Sequence, residues 1–259
     1  MSWWGKALGG TVGFMIGGPL GALLGAVAGH QLDQQHGAAP SADRAERLQT
    51  AFFTATFSVM GHLAKSDGQV SRDEIRLAAQ VMDRLDLAPA LREFARHLFS
   101  EGKRSDFPLD DILGQLAGET RSRNLRRMFV EIQVFAAYAD GQVHPAERRI
   151  LERICAHLGF SADELSQVES LVQAELQHEF SGPNASQSGS VADAYALLGI
   201  AADIDDAGVK RAYRRLMSQH HPDKLVSQGL PEEMMKLATA KTQEIKGAYE
   251  RVKASRGMR

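Results

Sequence analysis

The residues best suited to chemistry in this 259-residue chain lie near its C-terminal end, in KRAYRRLMSQHHPDK. His221, Pro222 and Asp223 follow a segment, roughly 206–220, in which Val209, Ala212, Tyr213 and Leu216 recur at helical spacing. The opposite face of that helix carries Lys210, Arg211, Arg214 and Arg215 at i,i+4 spacings. Across 210–224 five basic residues face one aspartate, a local charge of +4 in a chain of net charge −2. Such a patch steers encounter with an acidic protein surface, and added salt weakens it. The proline stiffens the turn, so an imidazole and a carboxylate are displayed beside it at little ordering cost. No nucleophile–base constellation and no G-x-x-x-x-G-K phosphate loop is evident, so the expectation is recognition, with no catalytic residue and no cofactor.

The motif needs a frame, and its flanks supply one. DAYALLGI upstream predicts a short helix ending at Gly199, and a helix from about Pro231 returns Leu237, Ile245, Ala248, Tyr249 and Val252 to the same core. The polar stretch SGPNASQSGS, 181–190, separates this unit, 191–259, from the rest as a flexible linker. His-Pro-Asp after a basic amphipathic helix, with Y-x-x-L-G before it and I-x-x-A-Y after it, closely resembles a J domain. The resemblance implies a helical hairpin that engages a DnaK-type chaperone. In it His221, Pro222 and Asp223 stimulate the partner's ATP hydrolysis, and Lys210, Arg211, Arg214 and Arg215 dock the partner. A Gly/Phe-rich linker and a C-x-x-C-x-G-x-G repeat, both found in general-purpose DnaJ proteins, are missing, so substrate delivery must differ.

The middle of the chain, 44–180, shows apolar residues at helical spacing, as in Leu48, Phe52, Phe53, Met60 and Leu63, and no sustained strand alternation. It reads as all-α with roughly seven helices. AKSDGQVSRDEIRLAAQVMDRLDL from Ala64 resembles AYADGQVHPAERRILERICAHLGF from Ala137, and both contain D-G-Q-V-x-x-x-E. Duplicated helix–loop–helix units packed on each other are expected. Asp67, Glu74, Asp140 and Glu147 invite a calcium reading, but Lys65, Leu63, Tyr138 and Ala136 stand where an EF-hand needs oxygen ligands. The preferred reading is a turn at Gly68 and Gly141, a capping box of Ser71 with Glu74, and Pro145 in a first helical turn. Cys155 and His157 fall on different sides of a helix and read as packing residues. The repeat resembles the TerB-like helical domain, in which the acidic positions are proposed metal ligands. That resemblance keeps the four carboxylates as minor metal candidates.

At the N-terminal end, residues 7–29 carry no charge and would span about 34 Å as a helix, enough for a ~30 Å hydrocarbon core. Trp3 and Trp4 suit the headgroup boundary, and Lys6 can snorkel. Gly9, Gly13, Gly17, Gly21, Gly25 and Gly29 recur every fourth residue and form a smooth face on which two helices can pack closely as a homodimer. A plain anchor without self-association, and a cleaved signal peptide ending near Ala26-Val27-Ala28, are the other readings of this stretch.

Composition sets the outer bounds. At 44% hydrophobic and 24% charged residues the chain is ordinary globular protein rather than disordered, and its near-zero charge implies no nucleic-acid partner. One cysteine excludes an internal disulfide framework, a cysteine-based zinc site and an iron–sulfur cluster. The expected architecture is all-α: a short flank 1–6, a transmembrane helix 7–29, a juxtamembrane linker 30–43, a TerB-like bundle 44–180, the linker 181–190 and a J domain 191–259. This order resembles the DnaJ-like membrane-anchor co-chaperones of Gram-negative bacteria. The resemblance implies an inner-membrane anchor with its N-terminus periplasmic, cytoplasmic C-terminal domains, a homodimer through the membrane helix, and regulation of DnaK linked to envelope and capsule stress signalling. The rival expectation is a metal- or stress-sensing membrane adaptor acting mainly through the TerB-like domain.

Overall fold

The computed structural model describes residues 20–21, 44–66, 79, 81–83, 85–138, 141–180 and 190–258. The described residues are helical, without strands. Among the described residues six helices are delimited in the first domain: α1 (Arg44–Ala64), α2 (Pro89–Gly102), α3 (Leu109–Glu119), α4 (Arg123–Ala137), α5 (Pro145–Leu158) and α6 (Ala162–Phe180). A second unit follows: α7 (Val191–Leu198), α8 (Asp206–His220), the short α9 (Pro222–Ser227), a 3-10 turn at Glu232–Met234, and α10 (Met235–Arg256).

Helix α1 is the hub of the first domain, against which α2, α3, α4 and α5 pack. Its middle is buried on every side, so the expected apolar stripe is instead a fully enclosed helix. Two of the small buried hydroxyls bond locally: Thr56 Oγ1 donates to the Phe52 carbonyl (2.7 Å) and Ser58 Oγ to that of Thr54 (2.8 Å). Gln133 of α4 donates to the Thr56 carbonyl (3.1 Å), and Phe129 meets Phe52 edge-on at 5.9 Å. Where α1 crosses α2 the backbones nearly touch, at Gly61 and Gly102.

The second copy of the repeat behaves as a structural loop. Gly141 takes φ +89°, Pro145 opens α5, and the Glu147 carboxylate accepts from the His144 N–H (2.8 Å). Cys155 is buried, which pushes its thiol up to about 12, whereas His157 faces out to Asp110 (3.0 Å). Asp67, Gly68, Ser71, Glu74 and Asp140 lie outside the described residues.

In the second unit α7 and α8 both pack on α10 around Leu197, Leu198, Val209, Leu216, Ile245 and Val252. Tyr213 stacks on Tyr249 with centroids 4.2 Å apart. Ser190 and Asp193 form a capping box on α7, and Asp205 caps α8 through the Gly208 N–H (2.7 Å). Arg256, on the last turn of α10, ties the ends together. It donates to the Ala202 (2.7 Å) and Ile204 (2.6 Å) carbonyls, to Asp206 (3.1 Å) and to the Tyr195 hydroxyl.

Of the N-terminal apolar segment, Leu20 and Gly21 are described. Both are helical and buried, Leu20 within the core of the first domain, with its N–H donated to Gln115 Oε1 (2.8 Å). Gly9, Gly13, Gly17, Gly25 and Gly29 lie outside the described residues, as does the rest of 7–29. Among the described residues no helix is long and apolar enough to cross a membrane.

Candidate chaperone-binding site

Helix α8 runs as expected from Asp206 to His220, and its apolar stripe, Val209, Ala212 and Leu216, is buried. The opposite face is the basic one. Arg211, Arg214 and Arg215 are exposed and Lys210 is half-buried; Arg211 lies 3.5 Å from Asp205. The helix breaks at His221, whose backbone is extended, because Pro222 cannot continue an inherited helical ladder. Pro222 starts α9 instead, where its missing N–H costs nothing. His221 and Asp223 are exposed and Pro222 is half-buried between them. An imidazole and a carboxylate therefore project from one stiff corner at the end of the basic face. Lys224 sits beside them, donating to Ser218 Oγ (2.7 Å).

The expected geometry of a simple turn between two long helices is incomplete. Residues 222–227 form a helix of their own, and the chain reaches α10 through Gly229, Leu230 and a 3-10 turn, so the long helix begins at Met235 rather than about Pro231. This insert does not pack on its own hairpin alone. Leu225, Leu230, Met234 and Ala238 belong to the core of the first domain and are fully buried there. Burying the three larger side chains, Leu225, Leu230 and Met234, contributes about 2 kcal/mol each as an upper bound.

Polar contacts close the same seam. His220, the last residue of α8, is 3% exposed at its side chain; its Nε2 meets Glu131 Oε2 of α4 at 2.8 Å and its Nδ1 faces the Leu216 carbonyl at 3.0 Å. Glu131 also accepts from Arg127 (3.0 Å). Burial alone would raise the Glu131 carboxyl, but the charges of His220, Lys241 and Arg127 outweigh it and hold the group down to about 2. Lys241 of α10 pairs with Glu175 of α6, and these carboxylates raise its ammonium above the ordinary value despite burial. Ser122 bonds to Gln228 (2.5 Å), Asn124 donates to the Ser218 carbonyl (3.4 Å), and Lys236 meets Asp86 (2.5 Å). A cavity of about 250 Å³ borders Glu131, His220, Glu175 and Lys241.

The structure thus places His221, Pro222 and Asp223 at the C-terminal end of α8, with Arg211, Arg214 and Arg215 exposed along that helix. His220, Glu131, Lys241 and Arg256 were not anticipated as parts of this arrangement. The signal for Glu131 was present as a lone carboxylate in the apolar run MFVEIQVF, and that for His220 as the doublet His220-His221. Among the four acidic repeat positions, Glu147 alone is described, and its carboxylate caps α5.

Comparisons with known proteins give three kinds of domain in the same order along the chain. Residues 1–47 match the model of the co-chaperone DjlA transmembrane domain, 53–170 that of tellurite resistance protein TerB, and 193–255 that of the DnaJ domain. Curated relatives include the co-chaperone protein DjlA of Shewanella oneidensis, 45% identical, and that of Aliivibrio fischeri, 43% identical. Both alignments cover all of this chain and all of the relative. The DjlA protein of Coxiella burnetii is 40% identical, again over the whole of both chains. No solved structure matches.

Proposed function

The chain belongs to the DjlA co-chaperone family, and from that premise we propose that it is a membrane-anchored co-chaperone whose J domain stimulates ATP hydrolysis by a DnaK-type chaperone. His221, Pro222 and Asp223 make the stimulating contact, and Lys210, Arg211, Arg214 and Arg215 dock an acidic surface of the partner. The observation that carries this reading is the exposed imidazole and carboxylate on a corner whose two flanks are buried, at the end of an exposed basic face. The chain itself acts as regulator; the nucleotide and its hydrolysis belong to the partner. The domain limits are those set out above, with the anchor in 7–29, the TerB-like domain in 44–180 and the J domain in 191–259. Because the partner and its ATP are cytosolic, the C-terminal domains face the cytoplasm and the N-terminus the periplasm, in a single pass through the inner membrane. The metal-sensing alternative is not favoured: Glu147 already caps α5, and Asp67, Glu74 and Asp140 stay only as minor metal candidates.

The test is reconstitution of the full chain in a bilayer with a DnaK-type chaperone and a read-out of ATP hydrolysis. Exchanging both Arg214 and Arg215 for glutamate reverses the local field and should slow association about tenfold at low ionic strength, with the gap to wild type narrowing as salt is added. An association rate equal to wild type at low salt would mean that the face is merely solvated.

The anchor is proposed to dimerise along Gly9, Gly13, Gly17, Gly21, Gly25 and Gly29 once it enters a bilayer, where Leu20 and Gly21 exchange their burial against the first domain for lipid and the partner helix; this places two J domains on one assembly and raises their effective concentration. Gly17→Leu puts a bulky side chain at the closest approach and should abolish crosslinking between anchors while insertion persists. Gly18→Leu, off the period, should crosslink like wild type. Equal crosslinking by the two variants would leave the segment as an anchor only.

A further inference from the structure

We propose that His220 and Glu131 are positioning residues for the chaperone-stimulating corner, so that the helical domain takes part in presenting His221 and Asp223. The inference rests on the co-chaperone reading above. His220 precedes His221 directly, and its ring is held from the other domain by Glu131 at 2.8 Å and from its own helix by the Leu216 carbonyl at 3.0 Å. On the far side of the corner, the Leu225 N–H donates to the His221 carbonyl (3.0 Å), and the Leu225 side chain is fully buried in the helical domain's core. Three exposed residues are therefore bounded on both sides, within 220–225, by anchors that reach into a different domain. An anchored corner meets its partner ready-oriented. A loosened one is competent for only part of the time, and the apparent affinity falls by that fraction.

The pair is buried enough to matter. With side chains 3% and 12% exposed, breaking the pair leaves His220 Nε2 or Glu131 Oε2 without its mate and without bulk water, while Leu216 and Arg127 still hold the other atoms of the two groups. The neighbouring cavity of about 250 Å³ gives the orphaned side chain somewhere to turn, and α8 loses its fixed end. Lys236 and Asp86 make a contrasting contact at the same seam: exposed, and remote in sequence from the corner.

The experiment uses the full chain reconstituted in bilayers, with ATP hydrolysis by the chaperone measured against co-chaperone concentration, below the unfolding onset of every variant. Glu131→Gln and His220→Gln should each raise the half-maximal concentration about three- to tenfold while the maximum at saturation holds. The double variant should show less than the product of the two effects, because both act through one contact. Gln228→Ala, which loosens α9 without touching the buried pair, should give a milder shift of the same kind, and Lys236→Ala no shift. Wild-type half-maximal concentrations in both single variants, effects that simply multiply in the double, or an equal shift with Lys236→Ala would overturn the proposal. If wild type itself fails to stimulate, the co-chaperone reading falls instead, and His221→Gln marks that baseline.

Discussion

His221→Gln is expected to reduce stimulation of chaperone ATP hydrolysis to the unstimulated rate while leaving helical content and membrane attachment as in wild type. The two halves of that expectation have separate physical grounds. The fold should not notice the change, because the His221 side chain is exposed, and substitutions at such positions shift stability by less than about 0.5 kcal/mol. The partner should notice it fully, because the imidazole stands on a corner where a rigid proline, a carboxylate and the end of a basic helix face come together. Glutamine keeps polarity and approximate length, so the loss would belong to the imidazole rather than to a hole in the surface. Salt separates this variant from the arginine reversals: raising ionic strength should bring Arg214→Glu/Arg215→Glu closer to wild type and leave His221→Gln inert. Circular dichroism, membrane flotation and single-turnover hydrolysis on the same preparation provide the check. Stimulation by the variant at the wild-type level would remove the motif from the mechanism.

The largest effect on stability should come from a residue with no side chain. At Gly102 an added Cβ would lie 1.8 Å from the Ser58 carbonyl oxygen, and at Gly61 one would lie 2.0 Å from that of Phe99. In both cases the obstacle is backbone of the partner helix, which cannot swing aside as a side chain can. Gly102→Ala should therefore push α2 away from α1, the hub of the domain, at a cost on the order of 3 kcal/mol, or about 10 °C in the unfolding midpoint. Gly114 provides the opposite control. It is exposed in the middle of α3 with nothing near its missing Cβ, so Gly114→Ala should raise stability by roughly 0.5–1 kcal/mol through helix propensity. Calorimetry on the three proteins decides it; a midpoint for Gly102→Ala at or above wild type would show that the helices can separate freely.

The sequence by itself determined what neighbours along the chain decide. Helix periods, the caps at Asp205 and Ser190, the break at Pro222 and the one-sided charge of α8 all depend on residues within a turn or two. For that reason the J domain, its exposed motif and its basic face were legible before any coordinates. The repeat was legible for the same reason, including Pro145 in the first turn of α5, whereas the capping use of Glu147, which follows His144 rather than a serine, emerged only in the structure. Tertiary structure alone decided what depends on partners far away in the chain. The short α9 has too few residues for a helical period to announce it, and Leu225, Leu230 and Met234 found their burial in a domain formed by earlier helices. Glu131 and His220, 89 positions apart, are an odd carboxylate and a spare histidine until the seam folds them together. Gly61 and Gly102 read as weak points in two helices until those helices cross backbone to backbone. Local order follows from steric and hydrogen-bonding choices repeated every few residues, whereas close approach between distant segments is set only when the whole core packs.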